Sequence, residues 1–259
     1  MPWDSIVTFL LFGLAAGLMI GCAGIGGVIL VPLLSYLGGV DIRVAIAAAM
    51  FAYLISGAVG TLVFAQQKSI RWDMTGWMWV GAMPAAFAGA LAVQHLSGWL
   101  LEAVIGLLTT ASGAHALLGR ENSESDPPQD GQSSPTLPRR ISATVGAATG
   151  FLSAVSGTGG PLVLIPILLW FQLPVLSAVG LAQAIQLPIA ALATAGNLYA
   201  ESLNWLLGFI VGFGILFGTW AGARLAHVLP RKTLRTIVSA LLVAVGGAIV
   251  FKLIATVVT

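Results

Sequence analysis

Gly24-Ile25-Gly26-Gly27 and Gly157-Thr158-Gly159-Gly160 write one motif twice, each inside apolar sequence, at an offset of 133 residues (24 to 157). The same offset pairs Gly13 with Gly146, Gly17 with Gly150, Thr61 with Thr194 and Ser69 with Ser202. It also pairs Trp72 with Trp205, Gly81 with Gly214, Ala88-Gly89-Ala90 with Ala221-Gly222-Ala223, Leu96 with Leu229 and Gly113 with Gly246. The alignment needs no gap, so the chain carries an internal duplication. Glycine-interrupted apolar segments at matching places in two halves are the sequence pointer to a transporter's binding site.

The chain of 259 residues is 58% hydrophobic and only 8% charged, with a mean hydropathy of +0.99. A soluble domain carries about 25% charge, so an integral membrane protein is expected, with the lipid bilayer as its partner. Backbone groups in the bilayer core must be satisfied internally, and the long apolar runs lack period-2 alternation. Helices are therefore expected rather than a barrel. The single cysteine, Cys22, excludes an internal disulfide. Pro2-Trp3-Asp4 lacks the basic region of a cleavable signal, and the first apolar run belongs to the repeat.

Residues 120–140 are polar, with four prolines and no apolar run. They read as a disordered linker between a first membrane repeat, 1–119, and a second, 141–259. Apolar stretches run at 5–37, 43–66, 74–94 and 99–118, then at 141–171, 175–199, 204–226 and 236–258. A span needs about 20 residues, so the first stretch of each half is too long for one straight helix. Its glycines allow either one long broken span or a re-entrant hairpin. Loop charge favours the hairpin. Lys68 and Arg71, then Arg120, Arg139 and Arg140, then Arg224, Arg231, Lys232 and Arg235 share one face only if each first stretch returns to its own side. The loops at 38–42, 95–98, 172–174 and 200–203 carry almost no positive charge. Each half then has a hairpin plus three transmembrane helices. The expected fold is all-α, with two inverted repeats, a cytoplasmic linker and both termini outside. Lys252 near the outer end of the last helix runs against this and is accommodated by snorkelling.

Gly24-Ile25-Gly26-Gly27 with Val31-Pro32-Leu33-Leu34, and Ser156-Gly157-Thr158-Gly159-Gly160-Pro161 with Ile165-Pro166, resemble the two signatures of the sulfite exporter TauE/SafE family. The resemblance covers both halves. Val28 and Pro161 stand where the family often has a third glycine, and the Gly-to-Pro spacing differs by one residue between halves. The resemblance implies a transporter of a small sulfur oxyanion or organosulfonate, usually an exporter, in the bacterial inner membrane. A passive anion channel and an uptake permease for thiosulfate or another sulfur compound are the alternatives.

Helix starts after Gly27 and Gly160 would aim unpaired N–H groups and a positive dipole end at an anion, and glycine removes the Cβ that would obstruct the approach. The candidate substrate-binding residues are Gly24, Gly26, Gly27, Ser156, Gly157, Thr158, Gly159, Gly160, Thr61, Thr194, Gln183, Gln186 and Asn197. Gln183 and Gln186 share one helix face; they and Asn197 read equally well as glue between helices. Their repeat partners are Met50, Tyr53 and Phe64, so amides line one half only. Thr61 and Thr194 are expected to bond back to their own helices. Cys22 reads as a small apolar filler and His115 as a packed neutral imidazole. Trp3, Trp72, Trp77, Trp79, Trp99, Trp170, Trp205 and Trp220 read mostly as an interfacial belt. No Asp, Glu or Arg falls clearly inside a span, which leaves backbone dipoles and neutral donors for the anion. Protons are a candidate coupling ion. No Ser/His/Asp set, HExxH or metal-ligand cluster points to an enzyme, and no cofactor, metal or nucleic-acid partner is expected.

Overall fold

The computed structural model describes residues 3–23, 27–66, 70–118, 137–171, 173, 175–226, 240, 243, 244, 246–249 and 251. Gly24, Gly26, most of the linker and most of the last apolar stretch lie outside the described residues. The described chain is helical: α1 (Trp3–Ala23), α2 (Gly27–Pro32), α3 (Ile42–Gln66), α4 (Trp72–His95), α5 (Gly98–Leu118), α6 (Arg139–Ser156), α7 (Pro161–Trp170), α8 (Val175–Tyr199) and α9 (Trp205–Ala226). Among the described residues, four helices are long and apolar enough to cross a membrane: Ile42–Gln66, Trp72–His95, Ser177–Tyr199 and Trp205–Gly222.

Polar residues set several boundaries. The Asp41 carboxylate accepts from the Arg43 N–H at 2.9 Å, Ser97 Oγ from Leu100 N–H at 3.3 Å, and Asn204 Oδ1 from Leu207 N–H at 3.1 Å. Each satisfies a first-turn donor of α3, α5 or α9. Beyond Pro32 the helix widens into a π segment, Leu33–Leu37, closed by the Gly38 N–H on the Leu33 carbonyl at 3.0 Å. A proline inside a helix lacks the donor for the carbonyl one turn back, and the bond register slips after it. Helix α6 begins at Arg139, so the last residues assigned to the linker by composition are its first turn and the approach to it.

Helix packing repeats the 133-residue offset. Gly13 lies against the Val211 carbonyl and Gly146 against that of Met78; Gly17 lies against Ile215 and Gly150 against Ala82. Each second pair is the first with 133 added to one residue and subtracted from the other. Helix α1 thus packs on α9 as α6 packs on α4, and α3 packs on α8.

The contacts also fix direction. Leu10, Leu14 and Leu18 meet Gly214, Gly218 and Gly222 in step, so α1 and α9 run the same way. Phe51 meets Gly208 and Ile55 meets Gly212, which adds α3 to that set. Met78 meets Gly146 and Ala82 meets Gly150; Trp79 donates to the Ala184 carbonyl and Ala90 meets Gly196. Helices α4, α6 and α8 therefore share a direction. Between the sets the register reverses: Ser56 bonds Gln186, while Gly60 meets Gln183.

On α9, Phe209, Phe213, Phe217 and Trp220 are all exposed at helical spacing. Such an apolar stripe fits lipid rather than water. Arg43, in the first turn of α3, sends its guanidinium to the Leu96 carbonyl at 2.8 Å and the Val93 carbonyl at 3.3 Å. It closes the C-terminal end of α4, where cations are favoured, so this charge serves packing.

Candidate functional site

The second glycine motif forms a sharp buried turn between α6 and α7. Gly157, Gly159 and Gly160 take φ of +68°, +81° and +101°, a region that L side chains rarely enter. Gly157 N–H and Thr158 N–H both return to the Ser153 carbonyl, at 2.9 and 3.3 Å, closing the end of α6. Pro161 brings no N–H, and Val163 and Leu164 N–H both reach the Gly160 carbonyl, at 3.1 and 3.0 Å. The helix start is thus more self-satisfied than its sequence suggests. The N–H groups of Gly159, Gly160 and Leu162 find no acceptor among the described residues.

Gly27, the described residue of the first motif, meets the second motif. A Cβ added at Gly27 would sit 2.6 Å from the Thr158 carbonyl oxygen. One added at Gly157 would sit 2.6 Å from Val31 and 3.3 Å from the Ile46 backbone. Gly160 lies beside Ile185, Gln186 and Ile189 in the middle of α8. Gly27, at the start of α2, therefore lies against the second turn. Tyr53, fully buried in α3, touches both Gly27 and Gly159. Its hydroxyl donates to the Gly27 carbonyl at 2.5 Å, and its ring packs on Gly159.

Gln183 and Gln186 do share a face, turned to α3. Gln183 packs on Gly60, and the Gln186 amide donates to Ser56 Oγ at 2.9 Å. Thr61 departs from expectation: its hydroxyl donates across the interface to the Gln183 carbonyl at 3.1 Å, not to its own helix. Glycine at position 60 lets α3 and α8 approach closely enough for that bond. The Thr194 hydroxyl has no partner among the described residues, so the expected back-bond is absent there too. Both amide atoms of Asn197 are buried and unpartnered among those residues.

Ser156 Oγ donates to the Leu152 carbonyl at 2.6 Å. Its one proton is then used, so in the 2.9 Å Ser156–Thr158 pair Thr158 is the donor. Neither hydroxyl proton is left for a ligand in this arrangement. Sequence reasoning passed over Tyr53, Ser56, Thr149 and Ser153. The last two are buried hydroxyls without partners among the described residues. The missed signal was spacing: Thr149, Ser153 and Ser156 lie on one helix face. Ala154 meets Gly89 and Gly196 meets Ala90, so Ser153 and Asn197 stand at one level of α4.

The backbones of Cys22 in α1 and His115 in α5 are described, but their side chains are not. Among the described residues no three His, Cys, Asp or Glu side chains gather as metal ligands. Among the described residues, the Gly159, Gly160 and Leu162 N–H groups lie in a buried, neutral surround.

A model of the sulfite exporter TauE/SafE family matches residues 9–249. A protein of Methanocaldococcus jannaschii described as a probable membrane transporter is 24% identical over 259 residues, covering 92% of each chain. Another so described, YunE of Bacillus subtilis, is 23% identical over 268 residues, covering 96% of this chain and 98% of the relative. No solved structure matches.

Proposed function

The chain belongs to the sulfite exporter TauE/SafE family, and from that premise we propose a secondary carrier that exports a small sulfur-containing anion, sulfite or an organosulfonate, by alternating access. The observation that carries this reading is the meeting of Gly27 with the second glycine turn. Segments far apart in sequence bring Gly27 against Thr158 and leave Gly159, Gly160 and Leu162 N–H groups without acceptors among the described residues. Donors fixed on a rigid turn stabilise an oxyanion without a counter-charge, and a neutral site also releases it. Asn197 and Thr194 would complete the donor set, with Gln183 and Gln186 holding α8 to α3 beside it.

Helix directions support inverted repeats. Antiparallel α3 and α8, with α1 parallel to α9 and α4 parallel to α6, are what a two-fold axis lying in the membrane plane produces. Helices α1 and α3 run the same way, as do α6 and α8. The segments between them therefore lead back toward the side they left, as a re-entrant hairpin does. On this reading the linker 120–140 is cytoplasmic and the membrane is the bacterial inner membrane.

Sulfite-loaded proteoliposomes test the function. Efflux is expected to saturate with sulfite and to respond to an imposed pH gradient. Non-saturating efflux indifferent to the gradient would identify a passive channel instead.

A further inference from the structure

Helices α4 and α6 run side by side in the same direction, and one end of the pair is basic. Arg139 and Arg140 open α6, and both are exposed. Cations in a first turn oppose the helix dipole, so the stability of α6 does not account for them. Arg43 is used on α4 carbonyls, and Arg71 pairs with Asp73 at 3.4 Å. Among the described residues, neither Arg139 nor Arg140 has a carboxylate partner. What holds Arg139 is aromatic: its guanidinium lies over the Trp77 ring, 5.3 Å from the centroid. Stacking fixes a guanidinium and leaves its edge donors open.

Beyond the arginines, the outward faces turn apolar. Gly81 packs on Ala143 and Gly89 on Phe151, so the two helices stay close along this length. On α4, Trp77, Pro84 and Ala88 are exposed at spacings of seven and eleven residues; on α6, Phe151 is exposed eleven residues past Arg140. Such spacings keep each column on one side of its helix. From Trp77 to Ala88 the strip is about 16 Å long at 1.5 Å per residue, close to half of a hydrocarbon core about 30 Å thick.

We propose that this corner of α4 and α6 binds an anionic phospholipid from the leaflet on the linker side. Its phosphate sits on Arg139 and Arg140, its glycerol region at Trp77, and one acyl chain along the strip. Guanidinium and phosphate match as a two-pronged, charge-assisted pair, and basic patches at the ends of membrane helices recognise such headgroups. A zwitterionic lipid with the same chains keeps the strip contact and brings no net charge to the arginines.

The test titrates the delipidated full chain in neutral detergent with phosphatidylglycerol or with phosphatidylcholine of identical chains. Melting temperature is the readout, and transport plays no part in it. Phosphatidylglycerol is expected to stabilise at about tenfold lower concentration than phosphatidylcholine. Arg139→Gln with Arg140→Gln should remove that difference, and lysine at both positions should keep most of it. Purely structural arginines would give a glutamine variant that melts lower without lipid and still prefers phosphatidylglycerol, which overturns the site. Equal response of the wild type to both lipids overturns it too. So does a preference that appears only after Glu121, Glu124, Asp126 and Asp130 are neutralised, since the linker would then hold the arginines. Should the double variant not fold, Arg140→Gln alone decides: an unchanged preference overturns the site, and a weakened one supports it.

Discussion

Gly157 carries two independent demands. Its φ of +68° excludes most side chains, and a Cβ there would press on Val31 and on the Ile46 backbone. Alanine at this position costs about 1–2 kcal/mol from the left-handed backbone alone, and the contacts add to it. Gly157→Ala should lower the melting temperature in detergent and slow transport. Gly76 is the contrast: it is exposed in α4, and an added Cβ would meet nothing within 4 Å. Gly76→Ala should stabilise by about 0.5–1 kcal/mol with flux intact, and a drop in melting temperature would contradict that account. The glycines were legible in the sequence because they recur inside apolar runs. Tyr53 was visible only as the non-amide partner of Gln186. Its importance arises from tertiary approach to Gly27 and Gly159, which no local pattern encodes.

At the scale of elements, glycine holds the paired helices together. Gly17 lies against the Ile215 carbonyl and Gly150 against that of Ala82, at equivalent places in the two repeats. Valine at either position meets backbone that cannot move cheaply, so each substitution should cost about 1–3 kcal/mol or more. Equivalent surroundings predict similar losses for Gly17→Val and Gly150→Val, read as shifts in melting temperature. A loss confined to one half would contradict the reciprocal packing. Element boundaries were largely readable: the apolar stretch 43–66 is α3, Ile42–Gln66, and 175–199 is α8, Val175–Tyr199. The π segment after Pro32 was not readable, since it depends on how the chain restores its bond register. Thr61 was misjudged because its acceptor, the Gln183 carbonyl, belongs to a helix 122 positions away.

For the whole molecule, the offset of 133 residues implied equivalence of the halves but not which helices exchange partners. That pairing follows from where the glycines cluster in space, with α1 on α9 and α6 on α4. The proposed topology makes a separate prediction. A cysteine at Ser125, in a Cys22→Ala background, should be shielded from an impermeant thiol reagent in intact cells and labelled after permeabilisation. Labelling in intact cells would place the linker outside and overturn the proposed orientation.

The central claim of the proposed function is that a sulfur oxyanion is carried at the second glycine turn, where Gly27 meets it. Gly159 is its most sensitive point, with φ +81° and the Tyr53 ring 2.9 Å from where a Cβ would stand. The most direct measurement is sulfite efflux from proteoliposomes holding equal amounts of wild-type and Gly159→Leu protein, with insertion verified for both. The account predicts saturable efflux from the wild type and none above protein-free liposomes from the variant. Equal efflux from the two would contradict it.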